Sequence, residues 1–98
     1  MDLTSRQHKF LKTKAHHLHP VVRVGDSGLS EAVCAATDEA LEAHELIKVR
    51  FHQGDRRTRR EMAEALCERC GAELIQEIGR MAVIYRPARE PEIRLPPG

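Results

Sequence analysis

The feature of this sequence that most restricts its fold is a regular alternation of strand-like and helix-like segments. Val21–Val24 is a β-branched run, and residues 47–51 alternate apolar and basic side chains, which is the period of a strand with one buried face. Two further apolar runs, Leu74–Ile78 and Met81–Tyr85, are joined by Gly79-Arg80, a pair that suits a tight hairpin turn. The pattern therefore predicts four short strands.

Three segments with helical spacing of apolar residues lie before and between these strands. Thr4 and Gln7 have the spacing of a capping box and predict a helix that starts near Ser5. Ser30 and Asp55 can cap a second and a third helix. Helical spacing places the acids of the second helix mainly on its solvent side, namely Asp38, Glu39, Glu42 and Glu45. The order is helix, strand, helix, strand, helix, strand, strand. It predicts an α/β fold with a four-stranded mixed sheet and packed helices, because strand–helix–strand units pair in parallel and a hairpin pairs antiparallel.

Length and composition favour one domain. A chain of 98 residues supplies one core, so we expect a single domain over residues 1–98, with an extended tail from 87 to 98. No apolar run approaches the ~20 residues that cross a bilayer, and no signal-peptide core is present. The three cysteines cannot all pair within the chain, which favours free thiols. We therefore expect a cytoplasmic protein without a membrane partner, and nothing in the sequence demands more than a monomer.

Charge is distributed in blocks, although the formal net charge is only +1. Residues 1–25 carry five Lys or Arg against one acid, residues 26–47 carry six acids and no Lys or Arg, and residues 48–60 carry six basic residues against one acid. Such blocks can build a basic face that attracts polyanions. Solvated surface charge without a partner explains them equally well.

The loop Gly25-Asp26-Ser27-Gly28 lies between a predicted strand and a predicted helix. Glycines allow positive φ and let another backbone come close, and the helix that follows offers unpaired N–H groups to a phosphate. A Gly-x-x-Gly loop clamps the nucleic-acid backbone in KH domains. Because a strand-to-helix turn often requires glycine for its geometry alone, the pattern by itself leaves both explanations open.

Several strings together resemble the YhbY/CRM-domain family over nearly the whole chain, from about Leu3 to Leu95. The strings that carry the resemblance are Leu18-His19-Pro20-Val21-Val22, Gly25-Asp26-Ser27-Gly28-Leu29, His44-Glu45-Leu46-Ile47-Lys48-Val49, Gly71-Ala72, Ile78-Gly79, and Met81–Tyr85 followed by Arg86-Pro87. The family fold is similar to the C-terminal domain of translation initiation factor three, which agrees with the predicted order of elements.

The resemblance implies binding to structured RNA, and association with ribosomal RNA of the large-subunit precursor during assembly. The glycine loop would contact the RNA backbone, with basic residues around it. The candidate RNA-binding residues are Gly25, Asp26, Ser27, Gly28, Arg6, Lys9, Lys12, Arg23, Lys48, Arg50, Arg56 and Arg57. Asp26 departs from the basic or neutral residues that family loops favour. Since a carboxylate repels phosphate, we expect its side chain to turn away and the backbone to make the contact.

Aromatic content limits how RNA can be held. Phe10, Phe51 and Tyr85 are the only aromatic residues, and no two of them are spaced as a stacking platform. Readers of single-stranded RNA usually stack bases on such platforms. The composition therefore favours recognition of RNA shape through phosphates and 2′-hydroxyls, with strong salt dependence.

Other chemistry has weaker support. Cys67 and Cys70 fall in the last turn of a predicted helix, where the dipole disfavours a thiolate, and a structural zinc site needs four ligands. We expect them to be packing residues, and we expect His16, His17 and His19 to be exposed polar residues.

The arginines at 56, 57, 59 and 60 suit either RNA contacts or ion pairs with Glu61 and Glu64. No catalytic constellation is apparent, so we predict a protein that is not an enzyme and needs no cofactor or metal. The alternative function is a protein-interaction module that docks on a ribosomal protein through its acidic second helix.

Overall fold

The structure is a computed structural model that describes residues 2–98. Its helices are α1 (Ser5–Lys14), α2 (Glu31–His44) and α3 (Arg56–Cys70), and its strands are β1 (Pro20–Val24), β2 (Leu46–Phe51), β3 (Glu73–Ile78) and β4 (Met81–Tyr85). A 3₁₀ turn at Ala15–His17 extends α1. None of the described helices is both long and apolar enough to span a membrane.

The helix boundaries follow from the capping residues that the sequence predicts. In the box that starts α1, the backbone N–H of Thr4 donates to the Gln7 side chain at 3.0 Å, and the N–H of Gln7 donates to the Thr4 hydroxyl at 3.1 Å. The side chains of Ser30 and Asp55 each accept the N–H three residues on, at 3.2 and 2.8 Å. Gly71 ends α3 with φ 65°, the left-handed conformation that favours glycine at this position.

The sheet has the strand order β1-β2-β4-β3. β1 and β2 pair in parallel through the crossover that contains α2, whereas β4 pairs antiparallel with both β2 and β3. The predicted four-stranded mixed sheet is therefore confirmed. Because β4 inserts between β2 and β3, the two outer strands of the sheet are β1 and β3.

Helices cover both faces of the sheet and give the domain two clusters of buried side chains. One cluster joins α2 and α3 to the sheet, and its largest buried members include Leu41, Leu66 and Phe51. The other joins α1 to the opposite face through Leu11 and Val83. The second cluster contains no residue of β1, so α1 covers only part of this face of the sheet.

The tail beyond β4 contains no helix or strand but lies against the body of the protein. Ile93 and Leu95 pack on the cluster beneath α1, and the Gln7 side chain donates to the carbonyl of Pro96 at 3.0 Å. The tail is also held by Glu45, which helical spacing places on the solvent side of α2. That placement is wrong, because Glu45 caps the end of α2 with φ 66° and its carboxylate turns inward, leaving the residue 4% exposed.

Candidate nucleic-acid interface

The glycine loop, residues 25–28, follows the carboxyl end of β1. The N–H of Gly28 donates to the carbonyl of Gly25 at 3.0 Å, which closes a four-residue turn. Gly28 has φ 64°, a conformation that costs other residues energy. At this position the geometry of the chain is sufficient reason for glycine.

Gly25 differs from Gly28 in its backbone conformation. It is absent from the residues with positive φ, and a Cβ built on it would meet nothing within 4 Å. The fold therefore has no conformational or packing need for glycine at this position. Glycine here leaves the backbone bare toward solvent, as the close approach of another molecule's backbone requires.

Asp26 is held by a neighbouring loop. Its Oδ1 accepts a hydrogen bond from the Gln53 side-chain amide at 2.5 Å. The N–H of His52 donates to the carbonyl of Val24 at 2.9 Å, so the loops after β1 and β2 are fixed together. The carboxylate that a phosphate would meet in the glycine loop is thus engaged by an amide donor from the next loop.

Three basic side chains lie together on the part of the sheet that α1 leaves uncovered. Val22 and Val24 are buried beneath α2 and α3, so Arg23 between them points to the opposite face. Lys48 and Arg50 alternate with buried residues of β2 in the same way, and Arg23 and Arg50 are direct neighbours in the parallel register. We call Arg23, Lys48 and Arg50 the open sheet face.

The charges of the open sheet face have no ion-pair partner among the residues that the structure describes. None of its three side chains makes an ion pair or hydrogen bond with any part of residues 2–98. Like charges on neighbouring strands repel each other. A cluster of this kind attracts an anion that neutralises it, and it adjoins the glycine loop at the carboxyl end of β1.

A second basic surface lies along β3, the edge strand opposite β1. It is a groove of about 840 Å³ between α1 and the start of α3. Its lining residues are Lys12, Arg56, Arg57, Arg59, Arg60, Ile75, Gln76, Glu77 and Gly79. We call it the arginine groove.

Two of the four arginines in the groove form ion pairs. Arg57 lies 3.6 Å from Glu61, and Arg60 lies 3.4 Å from Glu64. Arg60 also lies 2.9 Å from Glu77 of β3. Ion pairing therefore explains Arg57 and Arg60. It does not explain Arg56 and Arg59, which form no ion pair with a carboxylate in the described chain.

The structure divides the candidate residues among several places. Gly25, Asp26, Ser27 and Gly28 form one turn beside the open sheet face, whereas Lys12, Arg56 and Arg57 belong to the arginine groove. Arg6 and Lys9 are exposed on α1 and do not line that groove. The twelve candidates thus do not converge on a single patch.

Residues 3–86, which contain the glycine loop, the open sheet face and the arginine groove, match the model of the CRS1 / YhbY (CRM) domain. This chain belongs to the CRM-domain family. It is 45% identical over 94 residues to an RNA-binding protein of Haemophilus influenzae, covering 96% of this chain and 95% of the relative. It is 41% identical over 95 residues to a protein of Bacillus subtilis named as a probable RNA-binding protein, covering 96% and 99%.

A solved structure shares the fold of this CRM domain. The solution structure of a hypothetical protein of Staphylococcus aureus, described as a candidate RNA-binding protein, matches with a TM-score of 0.85 and 40% sequence identity. The match covers 97% of this chain and all of the other chain. The predicted family and fold class are therefore both confirmed.

Arg80 is a basic residue of the CRM domain that sequence reasoning left out of the candidate set. Its backbone carbonyl accepts the N–H of Phe51, and its guanidinium donates to the carbonyl of His52 at 3.1 Å. The β3–β4 turn therefore lies at the same end of the sheet as the glycine loop. The antiparallel pairing of β4 with β2 brings it there, and no local sequence signal shows that pairing.

The cysteines of the CRM domain lie in its core. Cys34, Cys67 and Cys70 are all free and buried. Burial, reinforced by the neighbouring Cys70, raises the pKa of the Cys67 thiol to about 12, which keeps it protonated and unreactive. Among the residues that the structure describes, no cluster of His, Cys, Asp and Glu could hold a metal ion.

The aromatic side chains of the domain offer no platform for bases. Phe51 and Tyr85 are buried, and Phe10 is half-buried against the cluster beneath α1. Base stacking requires an exposed aromatic face. The candidate interface therefore offers backbone and cationic side chains, the kinds of group that contact phosphate and ribose.

Proposed function

We propose that this CRM domain binds structured RNA through the glycine loop and the open sheet face. The observation that carries the proposal is the position of Arg23, Lys48 and Arg50, three adjacent cations without a carboxylate partner in the described residues. Beside them, Gly25 leaves the backbone bare where the fold does not require it. The names of the relatives from Haemophilus influenzae and Bacillus subtilis support RNA as the ligand.

In this proposal the RNA backbone lies on the open sheet face, and one phosphate approaches the N–H groups of the glycine loop. The cations neutralise phosphates and release their counterions, which makes affinity fall steeply with salt. Without exposed aromatic residues, the protein reads the shape and 2′-hydroxyls of folded RNA rather than its bases. Its role is binding rather than catalysis.

We infer that the RNA is ribosomal RNA of the large-subunit precursor and that the protein acts in subunit assembly, in the cytoplasm and as a monomer. The resemblance of its motifs to the YhbY/CRM family supports this assignment. Comparing affinity for large-subunit fragments with affinity for small-subunit fragments of equal length and helical content tests it. Equal affinity for the two sets would contradict it.

The contact at the glycine loop is tested with Gly25→Glu, and with Ala36→Glu as a control that adds the same charge to an exposed position of α2. Gly25 has space for a Cβ and does not have positive φ, so we expect an unchanged unfolding midpoint. RNA affinity should fall by about tenfold or more because a carboxylate then faces phosphate. Equal affinity of the two variants would show that RNA does not approach the loop. Gly28→Ala is a poorer probe, since its φ of 64° makes the variant strained.

The open sheet face is tested with Lys48→Gln combined with Arg50→Gln. If both side chains contact phosphate, the slope of log affinity against log salt should flatten by roughly 1.8, at about 0.9 per contact for a duplex. Arg89→Gln combined with Arg94→Gln is a matched control, since these tail side chains are exposed and have no partner in residues 2–98. An equal slope in both double variants would overturn the proposal.

Docking of the acidic second helix on a ribosomal protein is less well supported. Asp38 and Glu42 bind Arg86, with distances of 2.6 and 3.8 Å. Glu31 binds Arg69 at 3.0 Å. Most acids of α2 are therefore occupied within the domain. If the wild-type protein does not bind RNA, docking on a ribosomal protein becomes the better supported function.

A further inference from the structure

We propose that the arginine groove is a second RNA-binding site, which takes the phosphate backbone of a second segment of the same folded RNA. This inference rests on the proposed function, because it assumes that a first segment lies on the open sheet face. It adds a requirement for two backbones, and it gives Arg59 and Arg60 a role in binding.

The charges of the groove are available to a ligand. Lys12 and Arg56 have no ion-pair or hydrogen-bond partner within residues 2–98. Arg59 donates to the carbonyl of Gly54 at 2.7 Å, which orients the guanidinium, and it forms no ion pair with a carboxylate of residues 2–98. The net charge of the groove is therefore positive even where carboxylates contribute.

The ion-paired arginines of the groove can also bind phosphate. The side chains of Arg57 and Glu61 are 88% and 64% exposed, and those of Arg60 and Glu64 are 62% and 55% exposed, whereas Glu77, the other partner of Arg60, is 25% exposed. Exposed pairs of this kind contribute only about 0–1 kcal/mol. A phosphate that accepts two guanidinium N–H groups can replace the carboxylate.

The groove and the open sheet face lie on different strands of the sheet. Arg23 on β1 is three strand spacings from β3, about 14 Å, whereas Lys48 and Arg50 on β2 are two spacings from β3, about 10 Å. Between them α1 packs on the sheet through Leu11, in contact with the cluster that includes Ile75 and Val83. α1 therefore lies over part of the strip of sheet between the two surfaces.

Two separate cationic surfaces match an RNA that presents two backbones. In a helix the two strands flank a wide, shallow minor groove, and in a folded RNA neighbouring segments lie side by side. We expect a single strand to fill one surface only. The arrangement therefore favours hairpins and folded RNA over single strands, for a reason independent of the missing aromatic residues.

The test combines Lys12→Gln with Arg56→Gln, one residue on each wall of the groove. Neither side chain has a partner in the described structure, so the fold should be unaffected, as thermal unfolding will verify. The matched control is again Arg89→Gln with Arg94→Gln. Affinity is measured across a salt series for an RNA hairpin and for a single-stranded RNA of the same length.

We expect the groove variant to lose about tenfold or more in affinity for the hairpin, with a salt slope flatter by roughly 1.8. Its affinity for the single strand should stay within about twofold of wild type, because that RNA occupies the open sheet face alone. An unchanged hairpin affinity would show that the groove is not a binding site. Equal losses on both RNAs would show that the groove continues the first track rather than holding a second backbone.

These failures differ from failure of the proposed function. If wild-type protein binds the hairpin and the Lys48→Gln, Arg50→Gln variant does not, the open sheet face is the site whatever the groove variant shows. If wild-type protein binds neither RNA, both proposals fail together.

Discussion

The carboxylate of Glu45 accepts a hydrogen bond from the backbone N–H of Glu92 at 2.8 Å, across 47 residues of sequence. It also accepts the N–H groups of Ile93 at 3.1 Å and Ala88 at 3.2 Å. One buried side chain thus satisfies three donors of a tail that has no helix or strand to satisfy them. Glu45 makes these bonds from a φ of 66°, which a residue other than glycine adopts only at a cost.

We predict that Glu45→Gln lowers the free energy of unfolding by about 1–3 kcal/mol, the cost of leaving a buried N–H donor without an acceptor. Both carboxylate oxygens accept tail N–H groups, and the amide that replaces one of them is itself a donor. Urea denaturation measures the change. Glu42→Gln is the control, since its carboxylate accepts only one tail N–H, that of Arg89, and is half exposed. Equal losses in the two variants would contradict the anchoring role.

Backbone strain at Glu45 predicts a reversal of the usual order of alanine and glycine. Both Glu45→Ala and Glu45→Gly lose the carboxylate, but only glycine relieves the positive φ. Glycine normally costs up to about 1 kcal/mol relative to alanine in regular structure, whereas here we expect the glycine variant to be the more stable. Thermal unfolding of the two proteins compares them directly, and a more stable alanine variant would show that the backbone is unstrained.

The tail contact also predicts a loss of stability in acid. Burial raises the pKa of Glu45, but the N–H donors of Glu92, Ile93 and Ala88 lower it by more, so it lies below its ordinary value of 4.5. A carboxyl whose pKa is lower in the folded state contributes stability that is complete above the unfolded value and is lost as pH falls through the folded value.

The stability difference between wild type and Glu45→Gln should therefore be constant at neutral pH and shrink below about pH 4. Denaturant unfolding at a series of pH values measures it. A difference that persists unchanged into acid would mean that ionisation of Glu45 does not hold the tail.

Removing the charge of Asp26 should strengthen RNA binding. Asp26→Asn keeps an oxygen that can accept from the Gln53 amide, so stability should change little. The lost negative charge lies in the loop proposed to meet phosphate, and we expect affinity to rise about threefold or more at low salt, with less gain at high salt. Glu39→Gln, which removes a charge from the exposed side of α2, is the control. Affinity that rises equally in both variants would reflect net charge alone.

The thiols of the folded protein should be inert. All three cysteines are buried, and burial raises the pKa of Cys70 and takes that of Cys67 to about 12. At pH 8 we expect no reaction with a thiol-specific reagent over minutes, and reaction of all three thiols in denaturant. Ala36→Cys adds an exposed thiol as a positive control. Rapid labelling of the native wild-type protein would contradict core packing.

Much of the fold could be predicted because its determinants are local. The capping side chains of Thr4, Ser30 and Asp55 start the three helices, and Gly71 ends the last one, since each acts on backbone groups within a few residues. The period of two in residues 47–51 placed Lys48 and Arg50 on one face of their strand. Parallel pairing of β1 with β2 followed from the intervening helix.

Tertiary structure decided which cations lie together. The sequence places Arg56, Arg57, Arg59 and Arg60 in one run and offers Glu61 and Glu64 as local partners, but the contact of Arg60 with Glu77 comes from packing against β3. The run lies beside Lys12 because α1 and α3 flank the same edge strand, a relation between elements more than 40 residues apart.

Glu45 shows the same limit most clearly. Helical spacing assigns Glu45 to the solvent side of α2. Its positive φ at the end of the helix instead turns the carboxylate toward the tail, which is more than 40 residues away in the sequence. Local sequence thus determined the elements and the faces of the strands, because capping and side-chain periodicity act over a few residues. The partners of Glu45 and the contact between Arg60 and Glu77 were decided by packing, which joins residues that are distant in the chain.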